Sequence, residues 1–247
     1  MKSNPLSEGL QSFAIPGGNY GYTGANLDTL QSFENTIAVG LVDESGSTVG
    51  FKRQLELTVQ EIVKSLRNNE NADKLLYAHY HFDRTFKEIH GFKELANINP
   101  ADYDGCWAGG GCTTLFDSEV KVIKFVGDYG KQMTAKQFMC NGIIYILTDG
   151  HDYGSMMTEA DVIDALSTVV AAEDLESLMT ILIGINEDPD TQAKLKKHAE
   201  TVGFSQYVPA KDASEKTLNR IAGFVSQSIS SQSQALGSGG PSQSLTF

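Results

Sequence analysis

The sequence is poor in cysteine and in long apolar runs. Its three cysteines, Cys106, Cys112 and Cys140, are odd in number and lack CxxC spacing, which argues against a disulfide framework and a thiolate zinc site. No stretch approaches the roughly 20 uncharged apolar residues that cross a bilayer. Residues 1–13 also lack the apolar segment of a secretory signal. We therefore expect a cytoplasmic protein that does not span a membrane.

Positive charge is also scarce. The chain has 19 Lys and Arg against 31 Asp and Glu, a net charge of −12, and such a field repels phosphate polymers and anionic lipid surfaces. Neither a nucleic-acid partner nor a membrane partner is expected. With 247 residues, of which 40% are hydrophobic and 20% are charged, the chain has the composition of one ordinary globular domain.

Composition divides the chain into three parts. Residues 1–35 are rich in Gly, Asn and Ser, with Pro5 and Pro16 breaking any periodicity, and this predicts an irregular amino-terminal arm. Residues 229–247 are rich in Ser, Gln and Gly and carry no charge, which predicts a flexible tail. The folded domain is expected to span residues 36–228.

Within that domain, strand-like and helix-like patterns alternate. Apolar runs typical of buried strands predict strands at residues 36–42, 143–147 and 178–185. Residues 75–82 are also strand-like, and a last strand is expected at residues 204–208. Stripes at helical spacing predict helices at residues 51–67, 114–127, 158–172, from 188, and 214–228. A further extended segment is expected at residues 86–92. This alternation predicts an α/β fold, a doubly wound and mostly parallel central sheet with helices on both faces, as in Rossmann-like domains.

Such a sheet binds ligands beyond the carboxyl ends of its strands. Three stretches at or near such ends carry oxygen donors: DESGS at residues 43–47, TDG at residues 148–150, and the glycine-rich GGGCTTL at residues 109–115. Hydroxyl and carboxylate oxygens at one place suit a hard cation, and no His/Cys cluster accompanies them. The residues therefore predict a divalent-cation site.

Together, these motifs resemble the metal-ion-dependent adhesion site of a von Willebrand factor A (vWA) domain, and the resemblance covers roughly residues 36–225. It implies that Ser45, Ser47 and Thr113 bind a divalent cation directly, while Asp43 and Asp149 act mainly through water. Mg²⁺ is the first choice, with Mn²⁺ and Ca²⁺ as alternatives. The family binds partner proteins that offer an Asp or Glu to the metal.

Two departures from the family pattern are visible. Thr48 stands where the family often has an apolar residue, and Cys112 precedes Thr113, which leaves Thr114 as a rival ligand. Neither departure removes a ligand, and the spacing to Leu115 favours Thr113. The competing interpretation is that these loops hold only turn and capping residues on a generic α/β sheet.

The histidines His79 and His81 alternate along a strand and share one face. A hydrogen-bonded pair on the sheet is the favoured interpretation, with a second metal site as the alternative. His151 and Asp152, just beyond Asp149, are expected at the rim of the site.

The resulting hypothesis is an intracellular vWA-type adaptor that captures an acidic partner residue through its metal and is not an enzyme. Family analogy indicates an AAA+ ATPase of the MoxR type, or a kinase or phosphatase, as partner.

The sequence lacks GxxxxGK[ST], GxSxG and HExxH motifs. A Mg²⁺-dependent phosphate-ester hydrolase is the alternative, and a degenerate domain without metal is the third reading. Resemblance also predicts that the last helix, residues 214–228, shifts on partner binding.

Overall fold

A computed structural model describes residue 6 and residues 8–186, 188–238 and 245–247. In this part of the chain, five helices surround an eight-stranded sheet of order β1-β2-β5-β4-β3-β6-β7-β8. The strands are β1 Gln11–Ala14, β2 Gly21–Gly24, β3 Glu34–Asp43, β4 Leu75–Phe82, β5 Phe86–Glu94, β6 Met139–Thr148, β7 Ser177–Ile185 and β8 Gln206–Ala210. The helices are α1 Lys52–Arg67, α2 Leu115–Ala135, α3 Glu159–Ala171, α4 Pro189–Val202 and α5 Glu215–Ser238.

The sheet is mostly parallel. Strand β3 lies at its centre and pairs in parallel with β4 and β6, and β7 and β8 continue the parallel run. Strand β5 returns antiparallel to β4, as β1 does to β2. The predicted fold class, a mostly parallel α/β sheet, is confirmed.

Helices cover both faces of the sheet because successive side chains of a strand point to opposite sides. In β3, Ile37, Val39 and Leu41 enter the core beneath α2, α3 and α4. Ala38 and Val42 enter the second core, beneath α1 and α5. The central strands are therefore buried on both faces, which explains why they appear in the sequence as continuous apolar runs. Among the described residues, no helix is both long and apolar enough to cross a bilayer.

Residues 8–35 do not form the irregular arm that was predicted. Strands β1 and β2 pair within this segment, and β3 begins at Glu34. The Tyr22 ring stacks on Phe13 at 5.2 Å and lies 5.0 Å from Phe125 of α2. Four-residue strands are too short to show a period, and the aromatic contacts that hold them come from distant parts of the chain.

The predicted tail, residues 229–247, is also partly wrong. Helix α5 continues to Ser238, because Ile229 and Ser233 are buried against the domain and the Gln232 carbonyl accepts a hydrogen bond of 2.9 Å from Asn141 Nδ2. Residues 239–244 of that prediction lie outside the described residues. Leu245 packs near β8, where its carbonyl accepts a 2.9 Å bond from Gln206 Nε2.

Helix α2 runs to Ala135, past the predicted end at residue 127. Glycines at 127 and 130 weaken the helical signal in the sequence. In the fold they let neighbouring segments approach: a Cβ on Gly127 would lie 2.5 Å from Val169 Cγ2, and one on Gly130 would lie 2.5 Å from Leu175 Cδ2. Close packing on α3 and the segment after it, not a helix end, explains both glycines.

Candidate metal centre

The candidate site begins where β3 ends, at the buried residue Asp43. Asp43 Oδ1 accepts the backbone N–H of Ser45 at 2.8 Å, and this bond turns the chain out of the sheet. Beyond it, the hydroxyl oxygens of Ser45 and Ser47 lie 3.1 Å apart. Thr48 is buried, and its hydroxyl donates to the Ser45 carbonyl at 2.9 Å. The departure at Thr48 is thus accommodated by a local hydrogen bond.

The end of the adjacent strand β6 completes the carboxylate pair. Thr148 Oγ1 donates to Asp43 Oδ2 at 2.6 Å, and Ser47 Oγ donates to Asp149 Oδ1 at 2.8 Å. Asn186, at the end of β7, donates to the Asp149 carbonyl at 2.5 Å. Since β3 and β6 are parallel neighbours, both aspartates reach the same edge of the sheet.

Thr113 enters from the glycine loop, residues 108–113, which precedes α2. Its hydroxyl lies 3.9 Å from the point where a Cβ on Gly150 would stand, next to the Asp149 turn. Its carbonyl accepts the Tyr153 N–H at 2.8 Å. Thr114 makes a different contact, because its hydroxyl donates to the Asp83 carbonyl at 2.6 Å. The Thr113 hydroxyl therefore lies beside the Asp149 turn while the Thr114 hydroxyl is engaged elsewhere, and the choice of Thr113 as a ligand stays a prediction.

Electrostatics at this edge favour a bound cation. Burial raises the pKa of Asp43 to about 6, although hydrogen bonds from Thr148 and Ser45 oppose that rise, and the charge of nearby Asp149 adds to it. Burial also raises the pKa of Asp149. The two carboxylates are partly desolvated and repel each other. A divalent cation between them would offset both the cost of burying the charges and their mutual repulsion.

The donor set fits a hard cation. Ser45, Ser47 and Thr113 offer neutral hydroxyl oxygens, and Asp43 and Asp149 offer two negative charges. Oxygen donors of this kind suit Mg²⁺, Mn²⁺ or Ca²⁺. Among the described residues, no group of three or more His, Cys, Asp or Glu could hold a metal, so a cation at this edge would also need hydroxyl oxygens as ligands. The structure brings the five predicted residues together, and metal binding by them stays a prediction.

An exposed loop lies beside Thr113. Asp152 Oδ1 accepts the Phe116 N–H at 3.2 Å, and Asp117 Oδ1 accepts the N–H groups of Met156 and Met157 at 3.0 and 2.7 Å. These bonds fasten residues 152–157 to the first turn of α2. The fastened loop holds Tyr153, which is 74% exposed, and Met156, which is 92% exposed, out into solvent.

Sequence reasoning missed one residue of the site region, Glu44. Its side chain is buried beneath the site, where Glu44 Oε2 lies 3.1 Å from His81 Nδ1 and accepts the Ala108 N–H at 3.3 Å. The predicted hydrogen-bonded pair of histidines is present, since His79 Nε2 and His81 Nε2 lie 3.0 Å apart. The sequence did carry a signal for Glu44. It is an acidic residue directly after a buried strand, and the neighbouring strand carries alternating histidines that could bond to it.

No protein-family model matches the sequence, and no curated protein matches it significantly. Solved structures do match in fold. The PilB minor pilin from Streptococcus sanguinis is 14% identical, with a TM-score of 0.60 over 87% of this chain and 65% of that one. The pilus adhesin SpaC from Lactobacillus rhamnosus GG, in its open conformation, is 11% identical, with a TM-score of 0.61 over 90% of this chain and 33% of that one.

A third similar structure is the ArnB paralog VWA2 from Sulfolobus acidocaldarius. It is 15% identical, with a TM-score of 0.53 over 80% of this chain and 46% of that one. This chain therefore spans between a third and two thirds of the lengths of the three structures. Identities this low show a shared fold alone. At that level, the presence of a VWA protein among them agrees with the resemblance in the sequence.

Proposed function

We propose that this chain is a protein-binding module that captures an acidic side chain of a partner through a divalent cation. The observation that carries the proposal is the convergence of Asp43, Ser45, Ser47, Thr113 and Asp149 at one edge of the sheet. Hydrogen bonds from Thr148 to Asp43 and from Ser47 to Asp149 join the first two motifs, and the Ser45 and Ser47 hydroxyls lie 3.1 Å apart. The Gly46 N–H, which donates to the Gly111 carbonyl at 3.2 Å, joins the glycine loop that carries Thr113. A turn-and-cap interpretation of the three motifs gives no reason for them to meet.

The charge of the site gives the chemistry of the partner. Two carboxylates balance a divalent cation and the hydroxyl ligands are neutral, so the bound ion retains affinity for one more anionic oxygen. An Asp or Glu of another protein supplies that oxygen. The net charge of −12 slows the approach of an acidic partner, but a cation a few ångströms away outweighs it at contact because salt screens the distant charges.

The exposed side chains beside the site favour a protein over a small anion. Tyr153 and Met156 are held out by a loop that is fastened to α2, and aromatic and Met side chains are enriched in protein interfaces. An AAA+ ATPase of the MoxR type, or a kinase or phosphatase, is the partner class that the vWA resemblance implies. A cytoplasmic location remains a prediction from the sequence.

The test is calorimetric titration of metal-stripped protein with Mg²⁺, Mn²⁺ and Ca²⁺. We expect single-site binding that Asp43→Ala abolishes. Thr113→Val should weaken it by at least about tenfold, because valine keeps the shape of threonine without its hydroxyl. The matched control is Thr114→Val, which removes the bond to the Asp83 carbonyl and should cost stability without changing metal affinity.

Two outcomes would replace the proposal. If the wild-type protein binds none of the three ions, the domain acts through a metal-free surface. If Mg²⁺-loaded protein hydrolyses p-nitrophenyl phosphate and Asp43→Ala abolishes the turnover, the hydrolase interpretation is correct. A flat baseline in that assay with the metal bound supports the binding module.

A further inference from the structure

A chain of hydrogen bonds runs through the core beneath the candidate site. It links the hydroxyls of Tyr145 and Tyr77 at 2.5 Å, then Tyr77 to His79 Nδ1 at 2.8 Å. From His79 Nε2 it passes to His81 Nε2 at 3.0 Å and ends where His81 Nδ1 meets Glu44 Oε2 at 3.1 Å. All five side chains are buried, so this chain of hydrogen bonds holds the Glu44 carboxylate from the interior of the protein.

The donor and the acceptor in each of these bonds follow from the carboxylate at one end of the hydrogen-bond chain. A carboxylate can only accept, so His81 donates from Nδ1 and accepts at Nε2. His79 then donates from Nε2 and accepts from the Tyr77 hydroxyl at Nδ1. Every group in the chain has one defined role, and a buried network whose groups are all satisfied is rigid. The Glu44 carboxylate is therefore held in one position.

The same carboxylate also holds the glycine loop. Glu44 Oε2 accepts the N–H of Ala108, and the Gly46 N–H donates to the Gly111 carbonyl at 3.2 Å. A Cβ on Gly109 would stand only 1.8 Å from the Glu44 carbonyl oxygen. The glycine loop, which ends at Thr113, thus rests directly on the loop that carries Ser45 and Ser47.

We infer that Glu44 is a positioning residue that sets Thr113 relative to Ser45 and Ser47. This inference rests on the proposed function for its consequence in metal binding, but the positioning itself is a property of the metal-free protein. Glu44 stands next to the predicted ligand Asp43 and acts without reaching the cation, because its side chain turns into the interior. Partners of this kind orient metal ligands, and their loss lowers metal affinity.

The variants are Glu44→Gln, Glu44→Asp and Glu44→Ala. Glutamine keeps an oxygen that can accept from both Ala108 and His81, whereas aspartate is one methylene short and alanine removes the acceptor. The matched control is Glu119→Ala. Glu119 is equally buried and bonded to a histidine, His198 Nε2, at 2.9 Å, but it lies on the opposite face of the sheet.

The first readout is amide hydrogen exchange at residues 108–113 in metal-free protein. Glu44→Ala should speed exchange there by about tenfold or more, Glu44→Gln should leave it near the wild-type rate, and Glu119→Ala should not change it. If Glu44→Ala fails to fold, Glu44→Asp carries the same test. Unchanged exchange in a folded Glu44→Ala or Glu44→Asp variant would overturn the inference.

The second readout is Mg²⁺ affinity in a double-mutant cycle with Thr113→Val. Glu44→Ala should weaken binding by about 10- to 100-fold, with recovery in Glu44→Gln. Adding Thr113→Val should cost little more, because Thr113 is already displaced. Fully additive losses would contradict positioning through Thr113. If wild-type protein binds no metal, the proposed function fails while the exchange measurement still decides the role of Glu44.

Discussion

Replacing Gly109 with alanine should disrupt the candidate site without touching any predicted ligand. Gly109 lies against the backbone of Glu44, and a Cβ there would stand 1.8 Å from the Glu44 carbonyl oxygen and 2.7 Å from both its carbonyl carbon and its Cβ. The obstruction is largely backbone at the end of a buried strand, so no flexible side chain can simply swing away. The glycine loop itself must move.

The size of that movement determines how far the Mg²⁺ affinity should fall. Relief of the clash requires the two loops to separate by on the order of 1 Å, since non-bonded carbon and oxygen atoms cannot approach within about 3 Å. Metal sites tolerate ligand displacements of roughly 0.2 Å. We therefore expect Mg²⁺ affinity to fall by about 10- to 100-fold, the range seen when supporting contacts are lost. Overpacking should also cost about 1–3 kcal/mol of folding free energy.

Calorimetry measures the affinity, and thermal unfolding in EDTA measures the stability. The control is Gly46→Ala, between the two predicted serine ligands, where the nearest atoms to an added Cβ are Gly111 O at 3.6 Å and Gly111 N at 3.8 Å. That variant has room and should bind Mg²⁺ within a few-fold of wild type. If Gly109→Ala binds Mg²⁺ as tightly as Gly46→Ala, the contact between the loops does not position Thr113.

Three further predictions follow from burial. Because burial raises the pKa of Asp43 to about 6, protons compete with the cation, and Mg²⁺ affinity measured by calorimetry should fall between pH 7.5 and pH 5; equal affinities would contradict this. In metal-free protein, the raised pKa means that protonated Asp43 stabilises the fold at low pH. This contribution to the free energy of unfolding is lost as the pH rises through about 6 and the carboxyl group ionises. Asp43→Asn should therefore raise the free energy of unfolding by about 1–3 kcal/mol at pH 7.5 and by less at pH 5, and denaturant titration with EDTA would show it; no gain at either pH would refute the burial penalty. Burial also raises the pKa of Cys106 and of Cys140 to about 12, so iodoacetamide at pH 8 should label both slowly until the protein is unfolded, and rapid labelling in the native state would show that they are accessible.

The central sheet could be predicted from the sequence because its signals are local. The runs at residues 36–42, 143–147 and 178–185, within β3, β6 and β7, are mostly apolar, as parallel strands between two helical layers require. The ends of β3 and β6 then indicated where Asp43 and Asp149 would meet. The geometry needed for that inference is a property of parallel sheets, so no contact had to be known in advance.

The elements that sequence reasoning missed depend on contacts between distant residues. Strand β2 is held by Tyr22, whose hydroxyl donates to Asp128 at 2.7 Å, more than 100 positions away. The extension of α5 follows from the burial of Ile229 and Ser233, in a segment whose composition alone favours disorder. Tertiary packing overrides local preference in both places.

Glu44 shows how neighbouring acids can take opposite roles. Asp43 is the last residue of β3 and presents its carboxylate to the edge where Thr148 and Ser47 converge, whereas Glu44 directs its own into the histidine and tyrosine chain. Side chains of successive residues leave an extended backbone on opposite sides, so one dipeptide reaches both the cation edge and the core. A loop fixed from beneath in this way loses less conformational freedom when it binds an ion or a partner, and preorganisation of this kind favours affinity. For the same reason, we expect substitutions at Glu44 to lower metal affinity, even though the Glu44 side chain points into the core and away from the cation edge.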